Sequence, residues 1–490
     1  MRESGRISVV ITAQDLYNYT KCAHRVYLDA HGEASERASV SPFVELLWEM
    51  GMQTERDYVT RLTQPYADLS SLDMHQACRR TQELMRAGEG LIYQGGLGFE
   101  DCLGRPDLLV RCDDASSDLG PYHYEAIDIK GGHGTTGREG ESAGFKKHYA
   151  FQILFYHRLL ASLQGVSPRQ ARIINVDGDY ESFDPARFSA EFERALEEVR
   201  ALVEGTGQSE PVLGSVCHLC HWYAKCRRWA EGVHDPTLLF GVGRVKFDLK
   251  AAGLRTVEDI ALTEVSDYVG GSRKIPRLGR DGLRRLKTRA GVRLAGVPEI
   301  RPGFVLPDVR REVYFDIEDD PTRDFTYLYG WVEVEAGARE PLAYRYLFSP
   351  GAEQEEATVT AFWEALAGIE DAAIYVYSAK ERTSLRRLME RYGLDRSVFD
   401  RYLAQEYDLY GRLVLKYSDW PSYSYGIKHV ARYAGFTWRD PDPGGANSIV
   451  WYNEYQQDPS RHDLLQRILD YNEDDCRAMI AVKRYFAART

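Results

Sequence analysis

Long apolar runs are missing from this 490-residue sequence. The start, MRESGRISVVITAQDLY, holds none long enough for a signal peptide, and no stretch approaches the roughly 20 apolar residues of a membrane span. Cysteine is scarce: five of the eight (Cys22, Cys78, Cys102, Cys112 and Cys476) are scattered, which excludes a small secreted disulfide framework and predicts a reducing, cytoplasmic setting. Positive charge is in deficit too, with 62 Lys and Arg against 74 Asp and Glu. A net charge of −12 speaks superficially against nucleic acid, but acidic clusters are also what a metal-dependent nuclease needs. There is no GxxxxGKS or GxxxxGKT loop, so any helicase motor must be a separate protein.

What is present is ordinary for a soluble globular chain, 44% hydrophobic and 28% charged, and the length predicts about three domains. Residues 1–230 mix helix and strand patterns: helical periodicity in FVELLWEMGMQTERDYVTRL, strands in PDLLVR and HYEAIDIK, and an exposed loop in HGTTGREGESAG. Residues 231–298 are short, basic and helical with Gly-centred turns. Residues 299–490 open with the strand REVYFDIEDD and its hairpin partner FTYLYGWVEV. They then alternate strands such as AAIYVYS with helices and end on HDLLQRILDYNEDDCRAMIAVKRYF. The expected class is a multidomain α/β protein.

In the first block, Asp128 and Lys130 stand two apart on a predicted strand and leave the same face, while Asp107 ends a neighbouring strand or turn. Two carboxylates and an ammonium suit binding of Mg²⁺ or Mn²⁺ and activation of water. Gln152 and Tyr156 in FQILFYHRLL share a helix face at i, i+4, and Glu55 follows Gly51 by four in MGMQTERDY. Taken singly, each is as readily surface charge or helix polarity. The ordered set resembles the RecB-type branch of the PD-(D/E)XK nucleases, with its G-x-x-x-(H/E), D, D-x-K and Q-x-x-x-Y. That resemblance covers residues 1 to about 230 and implies a restriction-endonuclease-like core. It implies Glu55, Asp107 and Asp128 as metal-associated acids, Lys130 as the catalytic lysine, and Gln152 with Tyr156 as active-site helix residues.

The stretch CHLCHWYAKC holds Cys217, Cys220 and Cys226 within ten residues, with Cys22 far upstream. Four thiolates suit an iron–sulfur cluster or zinc, and His218 or His221 could replace Cys22 on zinc. The pattern resembles the iron-staple nucleases, in which one cysteine precedes the nuclease core and three follow it. It implies a [4Fe–4S] cluster on Cys22, Cys217, Cys220 and Cys226. Closing so long a loop would constrain the unfolded chain by about 4–5 kcal/mol on the loop-entropy argument.

Between Gly241 and Ala295 there are 13 Lys and Arg against 6 Asp and Glu, a local excess of +7 that leaves −19 for the rest. LLFGVGRVKFDLKAAGLRTVEDIAL resembles a helix-hairpin-helix unit, and IPRLGRDGLRRLKTRAGV a second, degenerate copy. In such a unit the backbone N–H groups of a glycine hairpin meet DNA phosphates. That implies Gly241 and Gly243 in the hairpin, with Arg244, Lys246, Arg273, Lys274, Arg277 and Arg280 available to phosphates. A solvated helical linker is the alternative.

In the last block Asp316 and Glu318 are i, i+2 on a strand, and Tyr471 and Asp475 are i, i+4 on the final helix. D-x-E on the first strand with Y-x-x-x-D on the last helix resembles the DEDD-type 3′–5′ exonucleases of the RNase H-like fold, over residues 310 to 490. That resemblance implies two metal ions about 3.5–4 Å apart on Asp316, Glu318, Glu381 and Asp475, with Tyr471 positioning the water. Glu381, just beyond AAIYVYS, stands where relatives more often carry Asp. YSYGIKHVARYAGF resembles the segment beside that site and offers Lys428. Together the three blocks resemble the RecB-like nuclease family of bacteria. The expectation is a Mg²⁺- or Mn²⁺-dependent nuclease acting on DNA ends or single strands in repair, recombination or defence, with a separate helicase as a possible partner. The rivals are an RNA-processing exonuclease and a non-catalytic nucleic-acid-binding or assembly protein.

Overall fold

The strand HYEAIDI is the organising element of the first half. It runs as His123–Ile129, buried along its whole length, and pairs antiparallel with Leu108–Cys112 and parallel with Ala171–Ile174. Its burial on both faces takes in three polar side chains, His123, Glu125 and Asp128, along with Tyr124, Ala126, Ile127 and Ile129. It lies inside a six-stranded sheet whose order is Tyr180–Phe183, Ala171–Ile174, His123–Ile129, Leu108–Cys112, Leu91–Tyr93 and Ala67–Asp68. The computed structural model describes residues 10–136, 144–269, 273–335, 338 and 340–489. Most of the loop expected at HGTTGREGESAG, residues 137–143, and the first nine residues lie outside them.

One helix, Lys147–Gln164, covers this sheet and buries Phe151, Leu154, Phe155 and Leu159. It stops at Gly165, whose φ of +74° only glycine adopts at no cost. A second helix, Pro42–Thr60, starts as its sequence dictates, with Ser41 capping Val44 N–H and proline in the first turn. It carries Glu55.

The second half is built on Arg311–Asp320, at the centre of a five-stranded sheet. The order is Arg345–Phe348, Phe325–Glu335, Arg311–Asp320, Ala372–Val376 and Glu406–Asp408. Arg311–Asp320 is antiparallel to Phe325–Glu335, with a register shift between Glu318 and Asp319, and parallel to Ala372–Val376. Strand alternation decides which face is chemical. Val313, Phe315 and Ile317 pack on one face with Phe362, Leu385 and Leu388 of the helices Glu355–Ala367 and Lys380–Tyr392. Tyr314 lies on the other, in the core built with Ile468, Tyr471 and Cys476 of the helix His462–Ala487. Asp316 and Glu318 share the parity of Tyr314 and so face that helix.

Contacts divide the chain into two units, residues 1–212 with 216–226, and residues 213–215 with 227–490. The basic helical segment therefore lies in the same unit as the C-terminal sheet. Its helix Arg280–Ala295 supplies Arg289 to the fully buried Asp419 (2.8 Å), and Phe240 stacks on Tyr425 at 4.0 Å between ring centres. Among the described residues no helix is long and apolar enough to cross a membrane.

Candidate functional site

The C-terminal unit gathers acids at the end of its central strand. One carboxylate oxygen each from Asp316, Glu318 and Asp475 lies within 4.8 Å of the other two. Alternation on the strand and the i, i+4 spacing to Tyr471 on the helix bring the sequence-expected residues to one place. Burial and then the charge of Asp475 push Asp316 up to about 7. Burial and then Asp316 push Glu318 well above the carboxylate range. Glu381 sits at the start of the helix Lys380–Tyr392. Burial and then Asp316 push its carboxyl up to about 8, and its Oε2 is buried with no hydrogen-bond partner. Carboxylates crowded so closely out of water need protons or cations between them.

Several side chains hold these acids in place. Asn472 Nδ2 donates to Asp316 Oδ2 at 2.8 Å, and Asn472 Oδ1 accepts from Tyr344 O–H at 2.8 Å. Trp438 Nε1 donates to Asp475 Oδ1 at 2.7 Å. Lys428 Nζ donates to Tyr471 Oη at 2.8 Å and reaches Asp475 Oδ2 at 3.4 Å. Burial, followed by Asp475, keeps the Tyr471 phenol protonated far above its ordinary range. Lys380 pairs with Asp319 at 2.7 Å, and although burial opposes its charge, Asp319 and Glu318 raise its pKa.

In the N-terminal unit the expected set also converges. Lys130 Nζ donates to Asp128 Oδ2 at 2.7 Å and to Gln152 Oε1 at 3.0 Å. Asp107 Oδ2 accepts from Ile129 N–H at 2.7 Å, and Asp128 Oδ1 lies 3.4 Å from Asp107 N. Glu55 Oε1 accepts from Tyr93 O–H (2.8 Å) and from Gln94 Nε2 (2.6 Å), which also donates to Asp107 Oδ1 at 3.0 Å. Burial, then Asp128 and Glu55, raise the Asp107 carboxyl well above its usual range. Burial opposes the charge of Lys130, yet Asp128 and Asp107 outweigh it and raise its pKa. Tyr156 is buried beside Asp128 and Asp107, which add to the effect of burial on its phenol.

Residues 313–487 match the RNase_H_2 family of the RNase_H superfamily. The chain carries an RNase H-like domain. Among solved structures, an exonuclease I in complex with the inhibitor BCBP is similar at 14% identity and a TM-score of 0.21. That match covers 34% of this chain and 44% of that one, a likeness too faint to carry an argument. No curated protein matches the chain. The carboxylate cluster of the RNase H-like domain fits divalent cations: donor oxygens of Asp316, Glu318 and Asp475 converge, while Glu381, which feels the charge of Asp316, is outside that group and keeps a buried oxygen without a partner.

Cys22, Cys217, Cys220 and Cys226 all fall in the N-terminal unit. Cys22 lies between the helices Ala13–Lys21 and Ala23–His31, Cys217 in the turn Ser215–Leu219, and Cys226 in the helix Tyr223–Gly232. Burial and then Cys220, Cys22 and Cys217 push the Cys226 thiol up to about 12, so the four are neighbours. Among the described residues they are not one of the groups whose donor atoms all fall within 4.8 Å. His221 Nε2 is paired with Asp29 Oδ1 at 2.8 Å, which leaves Nδ1 as the ring nitrogen open to a metal. Trp222 donates to the same oxygen, and its ring closes on Gly32, where a Cβ would sit 2.5 Å from it.

The basic segment departs from expectation at Lys246. It is fully buried and paired with the equally buried Asp235 at 3.1 Å, so it is a core counter-ion and not a phosphate contact. Arg277 is exposed but bound to Asp248 at 2.6 Å. Arg244, Arg273, Lys274 and Arg280 are exposed. Gly241 and Gly243 adopt φ of +80° and +45°, in the left-handed region that glycine enters without cost.

Motif reading missed Gln94, Asn472, Trp438 and Tyr344. Asn472 had a signal, being next to Tyr471 on the same helix. Gln94 had only the glycines that follow it in YQGG, which mark a tight turn; its φ is +54°.

Proposed function

We propose that the chain is a metal-dependent nuclease that hydrolyses phosphodiester bonds of DNA, exonucleolytically at ends or on single strands. The observation that carries this reading is the convergence of Asp316, Glu318 and Asp475 inside an RNase H-like domain. Mg²⁺ or Mn²⁺ held by Asp316, Glu318, Glu381 and Asp475 would supply Lewis-acid charge to the scissile phosphate and lower the pKa of a bound water. The chain's own part is positioning. Asn472 and Trp438 fix the acids, Lys428 neutralises Asp475 and orients the Tyr471 phenol, and Tyr471 remains protonated to place the water. In the N-terminal unit, Asp107 and Asp128 would hold a divalent ion as a second, PD-(D/E)XK-type centre. There Lys130, oriented by Gln152, would face developing negative charge. Cys22, Cys217, Cys220 and Cys226 would carry a [4Fe–4S] cluster that ties the N-terminal helices to the end of that unit. Repair, recombination or defence is the setting such an activity serves.

An RNA-directed activity of the C-terminal site is the second reading, because among the described residues that site alone draws three carboxylates within reach of one ion. The test is degradation of end-labelled DNA and RNA, with Mn²⁺, by the wild type, Asp128→Asn and Asp316→Asn. Metal-dependent DNA cleavage lost in Asp316→Asn supports the first reading, and its loss in Asp128→Asn as well supports the second, PD-(D/E)XK-type centre. DNA cleavage that survives in Asp128→Asn and vanishes in Asp316→Asn places the DNA activity in the C-terminal site alone. RNA cleavage abolished only by Asp316→Asn, without DNA cleavage by any protein, replaces the first reading with the second. No metal-dependent hydrolysis of either substrate overturns both.

A further inference from the structure

Away from both acid sites, the hairpin of Leu108–Cys112 and His123–Ile129 brings together three donors of different chemistry. Cys112 and His123 are directly opposite in the antiparallel register, so their side chains share a face. Glu125, two residues past His123, leaves by that face as well. A sulfur, a ring nitrogen and a carboxylate oxygen from the three lie within 4.8 Å of one another.

These groups do not satisfy each other. His123 is 1% exposed. Its Nδ1 lies 3.4 Å from the carbonyl oxygen of Ala115 and 3.5 Å from a carboxylate oxygen of Asp114. Both are acceptors, which places the imidazole proton on Nδ1. Nε2 is left with a bare lone pair, buried and without a hydrogen-bond partner. Across from it stands Glu125 Oε1 at 3.9 Å, another acceptor. The second oxygen of Glu125 accepts from Arg172 Nη2 at 2.5 Å, which fixes the carboxylate plane. The Cys112 thiol has only a weak contact, donating to the Val110 carbonyl at 3.8 Å.

We propose that Cys112, His123 and Glu125 form a binding site for a thiophilic divalent cation of the zinc class. Thiolate, imidazole and carboxylate are the donors Zn²⁺ takes, at about 2.0–2.3 Å. A cation between Nε2 and Oε1 turns two opposed lone pairs into two bonds. An Nδ1–H donated to a backbone carbonyl is what orients a ligating imidazole. Mg²⁺ and Mn²⁺ prefer oxygen, so this site selects differently from the carboxylates of the RNase H-like domain. It is also separate from Asp128, which stands an odd number of residues from Glu125 and leaves the opposite face of the strand. Three protein donors leave the fourth position to water, and the ion clips together the two strands that flank residues 113–122.

The full chain, stripped of metal by a chelator and kept anaerobic, is titrated with Co²⁺. The other cysteines also bind cobalt, so the comparison with Cys112→Ser and His123→Gln decides. Wild type is expected to take up one equivalent more than either variant, with a stronger thiolate-to-cobalt charge-transfer band. Equal uptake and equal bands in all three proteins overturn the site. A measurement on wild type alone guards against misfolding of the variants: alkylation of Cys112 by iodoacetamide, followed by peptide mass spectrometry. Zn²⁺ in excess over all the cysteine sites is expected to slow it at least tenfold, and an unchanged rate overturns the proposal.

Discussion

Asn472 is held between Asp316 and Tyr344: its amide nitrogen donates to the Asp316 carboxylate at 2.8 Å while its amide oxygen accepts from the tyrosine hydroxyl at 2.8 Å. The orientation of the amide is therefore determined from both ends. Room for it comes from Gly330, directly opposite Asp316 in the sheet, where a Cβ would lie 1.8 Å from Asn472 Oδ1.

Asn472→Ala removes the donor that orients Asp316 while leaving all four acids. Loss of such a supporting contact costs about 10- to 100-fold in metal affinity or activity. Gly330→Ala reaches the same end by collision, with a cost to stability of about 1–3 kcal/mol. Mn²⁺ titration followed by calorimetry, with thermal melts alongside, checks both. Wild-type Mn²⁺ affinity in Asn472→Ala would show that Asp316 needs no such support.

The pH dependence has a definite sign. Asp316 is pushed up to about 7 and Glu381 up to about 8, whereas an unfolded chain loses these protons near pH 4. Between pH 4 and 8 these two groups hold more protons in the folded protein than in the unfolded one, so their contribution to stability falls as pH rises. In chelator the melting temperature of the wild type is expected to fall relative to that of Asp316→Asn across that window. Added Mn²⁺, which competes with those protons, stabilises more at pH 8 than at pH 6. A melting-temperature difference between chelated wild type and Asp316→Asn that stays constant from pH 5 to 8 would contradict the burial of these acids.

Lys246→Met leaves Asp235 buried without its closest cation, although Lys250 still reaches it at 3.2 Å. Breaking one side of a buried pair costs about 3–5 kcal/mol, less whatever the second lysine recovers. The variant should melt earlier yet bind nucleic acid with an unchanged salt dependence. Arg273→Ala with Lys274→Ala should do the reverse, leaving the melt alone and lowering the slope of log K against log salt by about 2. Fluorescence anisotropy on a labelled single strand between 50 and 200 mM salt separates the two.

Anaerobically purified protein should be brown, absorbing near 400 nm, and Cys220→Ala should bleach it. A colourless anaerobic preparation containing zinc would replace the cluster with a mononuclear site.

Local spacing made much of both sites legible. Asp316 with Glu318, and Asp128 with Lys130, are pairs at i, i+2, and a strand puts such pairs on one face whatever surrounds it. Tyr471 with Asp475, and Gln152 with Tyr156, are the helical equivalents at i, i+4. The strands REVYFDIEDD and HYEAIDI carried enough β-branched and aromatic residues to be read directly. Gln94 was not legible, because its role depends on a left-handed turn that carries it between Glu55 and Asp107. Lys246 misled for the opposite reason: a lysine in a basic segment counts as surface charge until its partner, Asp235, is seen buried beside it.

The sequence alone determined which side chains leave a strand or helix together, since the two periodicities are properties of the backbone. Only the tertiary structure decided what those faces meet. Asn472 reaches Asp316 across 156 residues, and Cys112 stands opposite His123, because strand register and helix docking are fixed by burial of the whole core. A slip of one residue in that register would turn every one of these side chains to the other face.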